Sequence, residues 1–258
     1  SIVEGNQVIA IVAPAFIGQF GKYSTPEKFT EAMKQLGFDR VVEVAVGADM
    51  CTIEEAKDFQ EKVPARQDFM ATSCCPAWHA MVHKLFPAQS KNISMTLTPM
   101  VFTARLMKKK YPGCKVVFVG PCAAKKLEAI RENIRSDVDF VLTFEELQGM
   151  FEAKEIDFAT LPAGEPMDEG TSAGRGFAVS GGVAGNDAAR NACQAAQERH
   201  GLGIAVAYGL PLQKRGVCTV QAIKFRGVGY EAADGVMKKF NFLHGGANSV
   251  RANGADGG

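Results

Sequence analysis

Apolar positions along the chain fall into short unbroken runs separated by amphipathic stretches, and that alternation predicts the order of elements. Residues 7–13 form a continuous apolar run of strand length, and residues 16–21 read as loop. Thr25 followed by Pro26 marks a helix start, because the N–H that proline lacks is not needed in a first turn, and the helix is expected to reach about Gly37. A strand over 41–46, a helix opening at Thr52 and a strand over 69–71 follow. Thr52 and Glu55 have the spacing of a capping box. Helices over 76–85 and 99–110, a strand over 115–119, a helix from Ala124 to about Arg135, a strand over 140–144 and a helix over 145–153 continue the series. Apolar strands alternating with helices point to an α/β fold of mostly parallel sheet flanked by helices, with ligand loops at the carboxyl ends of the strands.

The stretch 161–176 is rich in Pro, Gly and acidic residues and reads as a long loop, a lobe boundary or a lid. Beyond it a helix over 187–199, strands over 203–207 and 219–225 and a helix over 230–239 are expected. A Gly-rich tail over 245–258 reads as disordered. Residues 1–244 then form one domain of two α/β lobes. With 258 residues and 47% hydrophobic composition the chain has material for a sizeable core.

Charge narrows the partners. Against 28 acidic residues stand 29 basic ones, a formal net charge of +1, which leaves no global field for nucleic acid or an anionic membrane. The one short basic run, Lys108, Lys109 and Lys110, closes a predicted helix, where cations favour the dipole. No run reaches the roughly 18 apolar residues of a membrane span, and no signal-peptide pattern opens the sequence, so a cytoplasmic location is expected. Seven cysteines, an odd number, fit a reducing compartment in which they are free thiols or metal ligands.

Two places concentrate chemistry. Thr72-Ser73-Cys74-Cys75-Pro76-Ala77-Trp78 lies where the strand ending at Ala71 runs into a helix opening at Pro76, and a helix N-terminus lowers a thiol pKa and stabilises thiolate. The pair reads either as a reactive or metal-binding site or as a buried structural cysteine with a neighbour. Gly120-Pro121-Cys122-Ala123-Ala124-Lys125-Lys126, with Glu128 beyond, repeats the arrangement after the strand 115–119, and Gly120 permits close backbone approach. Two such turns in one sheet can converge on one ligand, and paired soft thiolates favour an iron–sulfur cluster or zinc. Lys125 and Glu128 also fit a surface i, i+3 pair. His79 reads as a helix histidine rather than a ligand.

On these residues the chain resembles the catalytic domain of iron–iron hydrogenases. The family run Thr-Ser-Cys-Cys-Pro-x-Trp is present without mismatch from Thr72 to Trp78, and Pro-Cys-x-x-Lys-x-x-Glu is present from Pro121 to Glu128. Flanking stretches agree, among them Ala13-Pro14-Ala15-Phe16, Gly47-Ala48-Asp49-Met50, Leu97-Thr98-Pro99 and Gly174-Arg175, over residues 6–185. The resemblance implies a cluster site between the lobes, where a 4Fe-4S cluster shares a thiolate with a two-iron subsite carrying CO, cyanide and a dithiolate. By the resemblance Cys75 and Cys122 ligate the cubane, Cys74 is the proton-relay thiol and Lys125 hydrogen-bonds an iron-bound cyanide. Ala13 and Pro14 line the subsite, and Ser73, Pro121 and Met237 also belong to the cofactor-binding stretches. The outward proton path of the family maps onto Cys74, Thr98, Glu55 and Asp58; the two acids are three apart on one helix face. Hydrogen metabolism in an anaerobic setting, with a ferredoxin or other iron–sulfur partner as electron source and maturation proteins for cluster insertion, is what the resemblance implies.

The resemblance stops near the C-terminus. The family carries a third signature, Glu-x-Met-x-Cys-Pro-x-Gly-Cys-x-x-Gly-Gly, whose cysteines complete the ligand set. Here Met237 and Gly246 keep the spacing, but Lys239 and Leu243 stand at the cysteine positions, and no Cys-x-x-x-Cys follows Cys218. Two readings stay open: a hydrogenase-type domain with an altered end, or a degenerate relative acting as an iron–sulfur sensor or scaffold. A dithiol redox protein using Cys74 and Cys75 directly is a third.

Overall fold

The computed structural model describes residues 6–63, 65–72, 74–168 and 170–178, together with two strands at 203–207 and 222–226. The expected helices over 187–199 and 230–239, the tail over 245–258 and the positions Ser73 and Met237 lie outside the described residues.

Four strands, β1 (Val8–Val12), β2 (Arg40–Glu43), β4 (Lys115–Gly120) and β5 (Phe140–Thr143), form an all-parallel sheet in the order β2-β1-β4-β5. β1 is buried along its whole length because both faces are covered, and its residues divide by parity. Val8, Ala10 and Val12 join a core with Phe29 and Met33 of α1 (Pro26–Gln35) and Leu147 and Phe151 of α6 (Phe144–Ala153). Ile9 and Ile11 face Met100, Val101, Ala104 and Met107 of α4 (Pro99–Lys110). The sequence pattern is a continuous apolar run because the strand has no polar face to keep. Thr25 caps α1 by accepting the Lys28 N–H, and Thr143 with Glu146 makes a reciprocal capping box at α6.

A second sheet holds β3 (Phe69–Ala71), β7 (Ala222–Arg226) and β6 (Gly203–Ala207) in the order β3-β7-β6, and both of its pairings are antiparallel. Among the described strands, parallel pairing is therefore confined to the first sheet. Ser94 N–H donates to the Ala71 carbonyl at 2.8 Å, which ties the chain entering α4 to the end of β3.

Two expected helix boundaries are corrected. The helix expected at Thr52 begins at Ala45, so α2 is Ala45–Lys62 and the strand before it stops at Glu43. Thr52 is interior, donating its hydroxyl to the Ala48 carbonyl at 2.9 Å, and there is no capping box with Glu55. Tertiary packing overrides the β-branched run here: Gly47 lets α2 lie directly on α4, where a Cβ would collide with the Thr103 hydroxyl and the Pro99 carbonyl. The helix expected to reach Arg135 ends at Ala129, as α5 (Ala124–Ala129). Leaving the helix lets Ile134 and Val138 enter the core beneath α4 and brings Asp137 to Arg105 at 2.8 Å.

The stretch read as a loop or lid is held down rather than free. Leu161 and Met167 are buried in the core, and Asp168 bridges to Val42 at the edge of β2. A short helix, α7 (Ser172–Arg175), follows. The Arg175 Nε meets both oxygens of buried Glu43 at 2.9 Å, and Asp49 accepts from the backbone and hydroxyl of Thr171 at 2.9 and 2.5 Å. Among the described residues no helix is long and apolar enough to cross a membrane.

Candidate iron–sulfur site

The turns after β1, β3 and β4 open toward one cavity of about 210 Å³. The β1 turn contributes Ala13 and Pro14. The turn after β3 contributes Cys74 and Cys75, and the turn after β4 contributes Pro121 and Cys122, with Lys125 from α5. The first residues of α4, Val44 and Ala48 at the start of α2, and Phe177 and Ala178, just after α7, also line it. Parallel strands deliver their loops to one end of a sheet, and β1 and β4 do so as neighbours. Gly120 makes the approach of the β4 turn possible: a Cβ there would strike the Phe118 ring and come within 3.3 Å of the Ala13 Cβ.

Cys75 is the N-cap of α3 (Pro76–Leu85), and its sulfur accepts the Trp78 N–H at 3.5 Å. The Trp78 indole N–H in turn donates to the Thr72 carbonyl at 2.9 Å, folding the Thr72 to Trp78 turn onto itself. Cys74 behaves differently from the thiolate its place before a helix suggests. Burial pushes its thiol up to about 12, Glu55 and the neighbouring Cys75 and Glu128 add to the rise, and Lys125 only partly opposes it. Desolvation outweighs the helix N-terminus, so the thiol keeps its proton at neutral pH.

Lys125 and Glu128, which also fitted a surface pair, are buried. The Lys125 Nζ donates to Glu128 Oε2 at 2.6 Å and to the Cys74 carbonyl at 3.0 Å, and Glu128 Oε1 accepts from the Thr98 hydroxyl at 2.7 Å. This chain fixes the ammonium at the cavity wall and ties α5 to the Cys74 turn and the start of α4. Thr98 thus serves Glu128, not Glu55.

Glu55 is buried on α2, and it is the Ser94 side chain that hydrogen-bonds it. Burial raises its carboxyl to about 7 and the Asp58 charge adds to this, while the Ser94 hydrogen bond works the other way. Asp58, one turn on, pairs with Lys62 at 2.7 Å and is partly exposed. Ser94 and Glu128 are the two residues whose parts sequence reasoning missed or left open. Ser94 stands beside Glu55 only through its tertiary bridge to β3, which has no local signature. Glu128 is in the second motif but shows its burial only in the fold.

The donor set tests the implied cofactor. Two soft thiols, Cys75 and Cys122, on one cavity with a buried ammonium suit part of an iron–sulfur site. A cubane takes four thiolates, and among the described residues no three His, Cys, Asp or Glu side chains are grouped to hold a metal ion. Cys75 and Cys122 would make up half of such a ligand set.

Comparison with known proteins points the same way. The chain matches the family described as iron only hydrogenase large subunit, C-terminal domain, over residues 6–242. It is 34% identical over 202 residues to iron hydrogenase 1 of Clostridium pasteurianum, covering 69% of this chain and 35% of that protein. It is also 33% identical over 146 residues to the cytosolic Fe-S cluster assembly factor NAR1 of Yarrowia lipolytica, covering 49% of this chain and 29% of that one. A solved variant of the FeFe-hydrogenase HydA1 from Chlamydomonas reinhardtii superposes with a TM-score of 0.60 at 31% identity, over 73% of this chain and 53% of that one. The chain therefore spans well under half of these two curated relatives and about half of the solved one. With its parallel sheet, its paired cysteine turns and a match over nearly its whole length, the chain belongs to the family of the iron-only hydrogenase large subunit, C-terminal domain.

Proposed function

We propose that the cavity is the seat of a 4Fe-4S cluster and a two-iron subsite with CO, cyanide and dithiolate, and that the domain reversibly reduces protons to hydrogen. Electrons would come from a ferredoxin or another iron–sulfur protein or subunit, and maturation proteins would load the site in the cytoplasm. The observation that carries this reading is that Ala13, Pro14, Cys74, Cys75, Pro121 and Cys122, from three separate turns, line one cavity together with Lys125 of α5.

When bound, the group would relay those electrons and provide the metal at which protons are reduced. The side chains have separate tasks in this reading. Cys75 and Cys122 hold iron as thiolates. Lys125 presents a positive charge to anionic ligands, fixed by Glu128 and Thr98. Cys74 keeps a proton at the cavity wall, and Glu55 with Ser94 and then Asp58 leads from the interior to the surface. The remaining cluster ligands would come from beyond the described residues, with Cys218 and His244 as candidates.

A second reading, a catalytically degenerate relative acting as sensor or scaffold, is favoured by the missing Cys-x-x-x-Cys and by the similarity to an assembly factor. One series of measurements separates them. Iron and acid-labile sulfide are determined after anaerobic reconstitution, with the EPR spectrum of the dithionite-reduced protein. The subsite is then loaded and hydrogen evolution from reduced methyl viologen is compared with a Cys74→Ala control. A full cubane with hydrogen above the control supports the hydrogenase. A cluster without turnover supports the sensor or scaffold, and no iron rejects both.

A further inference from the structure

Outside the cavity, α3 carries an arrangement that its cysteine turn does not explain. His79 and His83 are four residues apart, so both rings project from one face of the helix. Their centroids are 4.4 Å apart with planes inclined at 44°. His79 is half-buried and His83 is exposed, which leaves the inner ring held by its surroundings and the outer one open to solvent. We propose that His79 and His83 form a two-imidazole clamp for a divalent transition-metal ion of the nickel, copper and zinc group.

The ion would need bonds of about 2.0–2.1 Å to one nitrogen of each ring, a span that imidazoles at this separation bridge by small χ rotations. Imidazole binds such ions in its neutral form. Burial, then His83 and Arg131, hold His79 below its ordinary range, with Glu128 opposing, so protons compete weakly at neutral pH. Arg131 works against a bound cation, and Glu128, already paired with Lys125, offsets it only in part. Water can complete the coordination: His79 borders a second, smaller cavity of about 90 Å³ that it shares with Ser94, Thr98, Glu128 and Arg131. Glu128 is committed to Lys125 and Thr98, and no third His, Cys, Asp or Glu of the described residues joins the pair. A nitrogen-only site suits ions that favour imidazole over those that require carboxylate oxygens. Binding would staple one turn of α3, the helix capped by Cys75.

The test is a Ni²⁺ titration of the full chain, followed by the ring signals of its four histidines. His79 and His83 should broaden together at the lowest nickel concentration, ahead of His200 and His244. The His83→Ala change at an exposed position should weaken binding about tenfold or more, since a chelate exceeds either ligand alone by a wide margin. Nickel should raise the thermal midpoint of the wild type and not of this variant, and His79→Gln should repeat the loss. Unchanged affinity in His83→Ala, separate broadening of the two rings, or prior broadening of His200 or His244 would each overturn the clamp.

Discussion

Replacing Glu55 by glutamine tests the electrostatics of the site without any cofactor. The carboxyl is buried and lifted from its ordinary value of 4.5 to about 7, chiefly by desolvation. A group whose folded value is raised binds its proton more tightly in the folded state, so its contribution to stability is complete below 4.5 and is lost as the pH climbs through 7. At 1.36 kcal/mol per pH unit the rise corresponds to a loss of about 3 kcal/mol between pH 4.5 and pH 8. The Glu55→Gln protein keeps the shape and a hydrogen-bonding partner for Ser94 but has no charge to bury. Urea unfolding of both proteins, followed at the single Trp78 from pH 4.5 to 8.5, should give curves that meet at the acid end. At the alkaline end the variant should be more stable by about 2–3 kcal/mol, given relaxation of the site. Taking the difference cancels the titrating groups that do not interact with Glu55, which leaves its own titration and its coupling to Asp58 and Cys74. Parallel stability curves would show that Glu55 is solvated or already ionised in the fold, and would remove the desolvation argument.

Other consequences are as direct. Glu128→Ala should destabilise by about 3–5 kcal/mol, because it strands the buried Lys125 ammonium. The double change Lys125→Met with Glu128→Leu should recover much of that loss in denaturant titrations. Gly47→Ala should cost about 3 kcal/mol and lower the thermal midpoint, since a methyl there meets not only the Thr103 hydroxyl but also the Pro99 carbonyl and the Thr103 backbone nitrogen, which cannot swing aside. Cys74 in metal-free protein should react with iodoacetamide far more slowly at pH 8 than an ordinary thiol, with a rate still rising above pH 10. A thiol pushed up to about 12 is thiolate only to about one part in ten thousand at pH 8. Mass mapping that finds Cys74 alkylated first would refute this and revive the dithiol reading.

What the sequence discloses and what it conceals divide along the range of the interactions involved. β1, α1, α3 and α4 are legible because each follows from neighbours in the chain: an apolar run of strand length, Pro in a first turn, a residue able to cap. The beginning of α2 is not, because Val44 and Val46 favour extended backbone on their own. The helical path is favoured by long-range packing, through the close contact of Gly47 with α4 and of Gly170 and Gly174 with Ala45. The same division runs through the site. Cys74, Cys75, Cys122 and Lys125 belong to compact motifs, so their convergence follows once the strands before them are placed. The difference between the Thr98–Glu128 bond and the Ser94–Glu55 bond cannot be read from spacing. Ser94 and Thr98 are hydroxyls four residues apart in one segment, and which acid each serves depends on how β3 and α5 present Ala71 and Glu128 to it. That placement also leaves each buried acid with a different partner. Glu128 has a lysine and serves as a fixed counter-charge, whereas Glu55 has a serine and a second acid nearby, so its proton is the one free to leave near neutral pH. In the proposed reading a proton conduit and an anchoring ion pair are thus built from the same residue type, and their environments separate the two tasks.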